Sequence, residues 1–324
     1  MTPPAHASPA LPGRDLSSWI TAARPPRAEV DPFKPYGFFL EQERHDAGRI
    51  VNSGVILLTN KECPWRCVMC DLWKHTTTES VPSGAIGRQI EFALRQFNSR
   101  PEQLKLYNSG SFFDPAAIPV SDYADITRTI SFATHVIVES HPRLIGEKAV
   151  RLRDLLAGSL EVAMGLETTH PQVLPRLNKK FDLGHFARAA EFLRSHQISL
   201  RAFVLVKPPF MDEAEELEWA VKSAEFAFAC GATAVSLIPT RGGNGAMERL
   251  AEAGGFAPPR LATLERALDA SLELQRGRVF ADLWDLEQFS RCADCLAARR
   301  DRLRAVNLSQ NALPAIDCPA CGGL

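Results

Sequence analysis

The chain has 324 residues, a formal net charge of −1, 45% apolar residues and 23% charged ones. These are the proportions of an ordinary soluble globule with room for one large domain and a small appendage. They exclude a strongly basic nucleic-acid protein, though not a local basic patch. No apolar run approaches the roughly 18 residues of a membrane helix, so no membrane contact and a cytoplasmic location are expected.

The opening stretch MTPPAHASPALPGRDLSSW lacks the continuous apolar core of a secretory signal. Its Pro and Ala content predicts a flexible arm within an N-terminal extension over residues 1–50. From residue 51 short apolar runs alternate with amphipathic ones. GVILLTN reads as a first strand, followed by a loop and the helical GAIGRQIEFALRQF. QLKLYNS is a second strand, THVIVES a third, and SLEVAMGLET a fourth that leads to the helical FDLGHFARAAEFLRSH. SLRAFVLVKPP is a fifth, with DEAEELEWAVKSAEFAFA after it, and ATAVSLIPT a sixth before PRLATLERALDASLELQRG. Strands alternating with helices of this length predict βαβ units on a parallel sheet, here an α/β partial (β/α)6 barrel over residues 51–285. Chemistry in such a sheet belongs at the carboxyl ends of the strands. Polar residues collect there: Asn60 to Cys70 after the first strand, then NSGS, ESHP, GLETTHP, KPPF and PTRGGNG after the others.

Seven of the eight cysteines fall into tight sets. Without a leader, such clustering points to metal ligation in a reducing cytosol rather than to disulfides. The eighth, Cys230 at the end of a helical stretch, reads as a buried structural thiol. Cys63, Cys67 and Cys70 form C-x3-C-x2-C in the loop after the first strand. A [4Fe–4S] cluster has four iron corners, so three thiolates leave one corner free. Structural zinc would need a fourth ligand, for which His75 stands nearby. Cys292, Cys295, Cys318 and Cys321 give two C-x2-C pairs with 22 residues between them, a metal-binding extension over residues 286–324. In CPACGG the Pro stiffens the turn and the Gly frees backbone N–H groups toward the sulfurs. Four thiolates suit zinc or an auxiliary iron–sulfur cluster equally. Between the pairs Arg299, Arg300, Arg302 and Arg304 surround a helical turn, either as a phosphate-contacting patch for RNA or as a solvated helix face.

C-x3-C-x2-C straight after a first β-strand resembles the signature of the radical S-adenosylmethionine (SAM) superfamily. The resemblance implies that the open iron chelates SAM and that an electron from the cluster releases a 5′-deoxyadenosyl radical. It implies SAM contacts from Met69, where the family often has an aromatic residue near the adenine, and from the turn Asn108, Ser109, Gly110 and Ser111. Glu139, Ser140 and Glu167, at the tips of the third and fourth strands, would meet the ribose or the ammonium group. A closer resemblance covers roughly residues 51–275. ESHPRLI, GLETTHPQVLPRLNKKF, RAFVLVKPPFMDE and PTRGGNGAME follow one another as in the branch holding the elongator catalytic subunit and the radical SAM subunit of archaeosine synthase. Arg143 and Lys180 depart from that branch, which has an acidic residue and a glycine there. The branch implies a C–N lyase-type modification of tRNA, a partner subunit, and an electron donor of the flavodoxin or ferredoxin type. From their place at the barrel mouth, Lys207 and Arg241, with Lys179, either add to a basic rim or bind a substrate carboxylate. Two other readings stand beside it: a radical SAM enzyme acting on a free small molecule with a second cluster, and a zinc module binding RNA or protein, which fits only the last 35 or so residues.

Overall fold

The computed structural model describes residues 15–46 and 48–321. Leu16, Trp19 and Ile20 share one face of helix α1 (Leu16–Ala23), and Ile20 is buried with Val68 and Met247 in a small second core. The described part of the expected N-terminal arm is therefore packed structure, because that apolar stripe needs cover; residues 1–14 lie outside the described residues. Strand β1 (Gly37–Arg44) also falls within the expected arm and turns back into β2 (Ile50–Leu57). Then follow α2 (Ala85–Gln96), β3 (Gln103–Tyr107), α3 (Tyr123–Thr129), β4 (His135–Ser140), α4 (Glu147–Leu155) and β5 (Ser159–Glu167). The chain continues through α5 (Leu183–Ser195), β6 (Ser199–Val206), α6 (Glu216–Ala229), β7 (Ala234–Pro239), α7 (Ala246–Glu252) and α8 (Leu261–Glu273). It ends with β8 (Arg278–Ala281) and α9 (Ala293–Ser309).

The eight strands form one sheet in chain order. β1 pairs antiparallel with β2, and every later pair is parallel. The six strands read from the sequence are β2 to β7, and β1 and β8 extend that partial barrel at its two edges. Side chains alternate across a strand, and the sequence uses the alternation fully. Ile56, Leu104, Leu106, Val136, Val138, Val162, Leu200 and Val204 face outward into the apolar core under the helices. The other set lines an interior cavity of about 1210 Å³ and includes Glu41, Glu43, Lys105, Tyr107, Arg201 and Phe203. No helix of the described residues is long and apolar enough to cross a membrane.

The floor of the cavity is ionic. Arg201 reaches Glu43 on β1 at 2.7 Å and Glu161 on β5 at 2.6 Å. Arg278 on β8 reaches Glu161 at 3.0 Å, and Lys105 on β3 pairs with both Glu41 and Glu43. Burial opposes the charge on Glu43, but Arg201 and Lys105 outweigh it and hold the carboxyl well below the usual range. The network therefore links both edges of the sheet through its middle. Breaking a buried pair from one side leaves an uncompensated charge, which costs about 3–5 kcal/mol. Arg201→Met, at a position 2% exposed, is expected to lower the unfolding free energy by about that amount in chemical denaturation, whereas Arg194→Met, in an exposed helix pair, is expected to leave it nearly unchanged.

Candidate functional site

The loop after β2 is held from several directions. Asn178 donates its side-chain amide to the Arg66 carbonyl at 2.6 Å. The Val68 N–H donates to Leu177 O at 3.0 Å. Asn244 donates to Val68 O at 2.7 Å and to Cys70 O at 3.1 Å, while its own oxygen accepts from Met247 N at 2.8 Å. Glu62 gathers Arg24 at 2.7 Å, Arg27 at 2.6 Å and Arg66 at 3.1 Å. A loop without regular structure thus has a fixed backbone, and Cys63, Cys67 and Cys70 all line the cavity. Leu177 and Asn178 fall within PRLNKKF and Asn244 within PTRGGNGAME, a role the sequence alone does not reveal.

Burial pushes the Cys63 thiol up to about 11, the Cys70 thiol up to about 12 and Cys67 well above its ordinary value. Three such thiols ionise at neutral pH only with a cation among them, and thiolates are the ligands that iron–sulfur centres take. The donor set therefore fits a cluster. His75, the candidate fourth zinc ligand, is stacked on Tyr36 at 4.7 Å. Among the described residues, the one set of three or more metal-binding side chains close enough for a single ion is the C-terminal one.

Around the thiols stand the ends of β3, β4 and β5. Glu139 accepts from Asn108 N at 2.5 Å and from Gly110 N at 3.4 Å, which shapes the turn after β3. Burial raises the Glu139 carboxyl to about 7 even though those N–H groups favour its charged form. Gly110 is needed by the loop itself: a Cβ there would lie 3.2 Å from Cys63 Cβ. Ser109, with φ 56°, bonds the Tyr36 hydroxyl at 3.0 Å, and the Ser111 and Ser140 hydroxyls are 2.8 Å apart. Asn108 is fully buried, and its side-chain nitrogen and oxygen have no hydrogen-bond partner. Such groups are rare in folded chains. Met69 lines the cavity beside the thiols. At the tip of β5 Glu167, with φ 66°, pairs with Lys179, which also donates to Gly165 O at 2.9 Å. Burial disfavours the charge on the Lys179 ammonium, but Glu167 outweighs it and raises the group above its ordinary value. Trp65 stacks on His141 at 3.6 Å, and burial lowers that imidazole to about 3, so it is neutral. Lys179, Tyr36 and the Trp65–His141 stack are cavity residues that motif reading did not single out as cofactor contacts. Ser109, Glu167 and Lys207 all take left-handed backbone at strand ends, where strain tends to collect at sites.

Two sequence expectations need correcting. Arg241 lines the cavity and pairs with Asp282 at 2.8 Å, but Lys207 does not join it. The Lys207 ammonium is buried 3.5 Å from Glu216 of α6. The four arginines of α9 form neither one patch nor one solvated face. Arg299 is 3% exposed and pairs with Glu265, and Arg302 is 6% exposed and pairs with Asp269. Only Arg300 and Arg304 face the cavity. Helical spacing put them together, but α8 takes two of them. The two departures from the branch motifs meet each other: Arg143 donates to Lys180 O at 2.9 Å, and Lys180 has φ 62°, a conformation that glycine adopts freely.

Cys292, Cys295, Cys318 and Cys321 do converge. Their sulfurs all lie within 4.8 Å of one another, with Cys292–Cys318 at 3.9 Å and Cys295–Cys321 at 3.8 Å. These separations are far longer than a disulfide bond of roughly 2 Å and suit metal ligands. The glycines after Cys321 lie outside the described residues.

No protein-family model matches the chain. Among curated proteins it is similar to the archaeosine synthase subunit beta of Methanosarcina acetivorans, 26% identical over 81% of either chain. It is also 25% identical to an uncharacterized protein of Methanocaldococcus jannaschii, over 72% of this chain and 68% of that one. Among solved structures it resembles the archaeal Elp3 of Methanocaldococcus infernus with residues 1–46 deleted, with a TM-score of 0.50 at 12% identity, over 68% of this chain and 58% of that one. The fold is that of the radical SAM enzymes, and the resemblance read from the cysteine loop runs through most of the chain, toward the archaeosine- and elongator-like branch.

Proposed function

We propose that this chain is a radical SAM enzyme that modifies tRNA in the manner of archaeosine synthesis, a C–N lyase-type step. A partner subunit and an electron donor of the flavodoxin or ferredoxin type belong to the same reading. One observation carries it: three half-buried thiols on a clamped loop share a cavity with the turns after β3, β4 and β5, in a chain 26% identical to an archaeosine synthase subunit beta over 81% of its length.

Cys63, Cys67 and Cys70 would hold a [4Fe–4S] cluster, which would supply the electron for reductive cleavage of SAM. The protein's own work is positioning and exclusion of water. Ionised Glu139 fixes the Asn108–Gly110 turn and offers negative charge to the cationic groups of SAM. Lys179 balances Glu167 beside the thiols, and Met69 with the Trp65–His141 stack supplies apolar and aromatic walls. Arg241 stands at the substrate side, whereas Lys207 serves the fold. The C-terminal thiols take a single zinc ion. With Zn–S bonds of about 2.3 Å, a tetrahedron has sulfur–sulfur edges of about 3.8 Å; two of the pairs measure 3.8 and 3.9 Å, and all lie within 4.8 Å. Thiolates of a four-iron cluster stand outside four separate metal atoms and are farther apart.

Anaerobic reconstitution is expected to load about four irons at the first site and, with SAM and dithionite, to release 5′-deoxyadenosine; Cys63→Ala is expected to abolish the release. The substrate assignment is tested by turnover of tRNA bearing a lysine-modified deazaguanine against the free nucleoside. Equal turnover of the two would contradict a tRNA substrate. Burial pushes the Glu139 carboxyl up to about 7, and its charged form, favoured above that pH, is the one that attracts SAM. SAM affinity is therefore expected to fall as pH drops through 7. Glu139→Gln is expected to weaken binding about 10- to 100-fold at pH ~8 and to flatten the profile, as read by isothermal calorimetry.

A further inference from the structure

Among the described residues the sheet does not close, because β1 and β8 remain its two edges. Helix α9 lies across that seam. The Asn307 side chain donates to Ala281 O and accepts from Ala281 N, both at 2.8 Å. Gln310, just past the helix, does the same for Val279, at 2.9 and 2.7 Å. Two carboxamides thus stand in for a ninth strand and satisfy the exposed edge of β8, which would otherwise present unpaired backbone. The same helix lines the cavity with Arg300, Arg304, Asn307 and Leu308, a spacing that forms one helical face. Arg304 has no ion pair among the described residues, whereas Arg241 and Arg300 are paired with Asp282 and Glu287.

Arg299 and Arg302 tie the middle of the helix to α8, Leu303 and Val306 bury its inner face, and the four-thiolate site adds a tie at its N-terminal end. Cys292 caps α9 and Cys295 lies in its first turn. Residues 311–315, which lead back toward Cys318 and Cys321, are exposed and without regular structure. They are tied to the helix by Arg302, which donates to the carbonyls of Leu313 and Pro314. We propose that the four-thiolate site is the latch of a lateral wall. One tetrahedral ion at Cys292, Cys295, Cys318 and Cys321 holds α9 across the seam and so keeps the substrate cavity closed on that side, with Arg304, exposed on the cavity lining, placed to receive an anionic group of the substrate. The latch stands on the geometry alone; its bearing on substrate rests on the function proposed above.

The latch is tested by amide hydrogen exchange with mass spectrometry on the full chain, zinc-loaded and after zinc removal by a chelator under reducing conditions. Metal analysis of the Cys63/Cys67/Cys70→Ala protein accompanies it and is expected to find one zinc and no iron. On zinc removal, peptides covering Val279–Ala281 and α9 are expected to exchange at least about tenfold faster while β3 to β5 keep their protection. Unchanged exchange in β8 and α9 would overturn the proposal, as would loss of protection everywhere, or iron retained by the triple variant. Should the stripped chain aggregate, Asn307→Ala/Gln310→Ala provides the second test. It is expected to keep its zinc yet to show the same local gain at β8, and unaltered exchange there would equally overturn the seam. Neither readout depends on radical chemistry, so a chain that never cleaves SAM leaves the latch standing and removes only its link to substrate.

Discussion

The structure depends on a buried line of alternating charge, Glu43–Arg201–Glu161–Arg278, that crosses the inside of an open sheet. Its members come from β1, β6, β5 and β8, so it draws the two edges toward the middle strands. An interior of this kind is costly unless every charge has a partner. Here Lys105 and Gln103 complete the coordination of Glu43. With the floor filled by ions, open space remains above it, toward the carboxyl ends of the parallel strands. The cavity and the candidate site are there for the same reason.

At that end the chain leaves the sheet in loops, and loops alone do not hold three thiols in register. The structure solves this with side-chain amides and carboxylates. Asn178 and Asn244 bind the backbone of the cysteine loop, Glu62 collects three arginines, and Glu139 binds the backbone of the neighbouring turn. The same device recurs at the open seam, where Asn307 and Gln310 bind the edge of β8. Polar side chains paired to main-chain groups carry the irregular parts of this fold.

The six central strands were legible in the sequence because each is a short apolar run bounded by polar residues. The two edge strands were not. β1, GFFLEQER, carries charges that face the ionic floor, and β8 is only four residues long. The C-terminal cysteine set was legible because two C-x2-C pairs bring four sulfurs within reach of one metal. Residues whose role depends on what packs against them were misread. Four arginines in α9 look alike in sequence, yet α8 supplies Glu265 and Asp269 to two of them. Lys207 follows a strand like a site residue but finds Glu216 on a helix behind it. Lys179 is the converse case, a lysine next to another whose importance comes from Glu167 and the thiols around it.

The central claim is that the site at Cys63, Cys67 and Cys70 leaves one metal position open to SAM. Electron paramagnetic resonance of the reduced, iron-loaded protein, recorded before and after addition of SAM, tests it directly. The account predicts a cluster signal that changes on adding SAM in the wild type and does so without Cys292, Cys295, Cys318 and Cys321. A signal that SAM leaves unchanged, or one that survives replacement of Cys63, would contradict it.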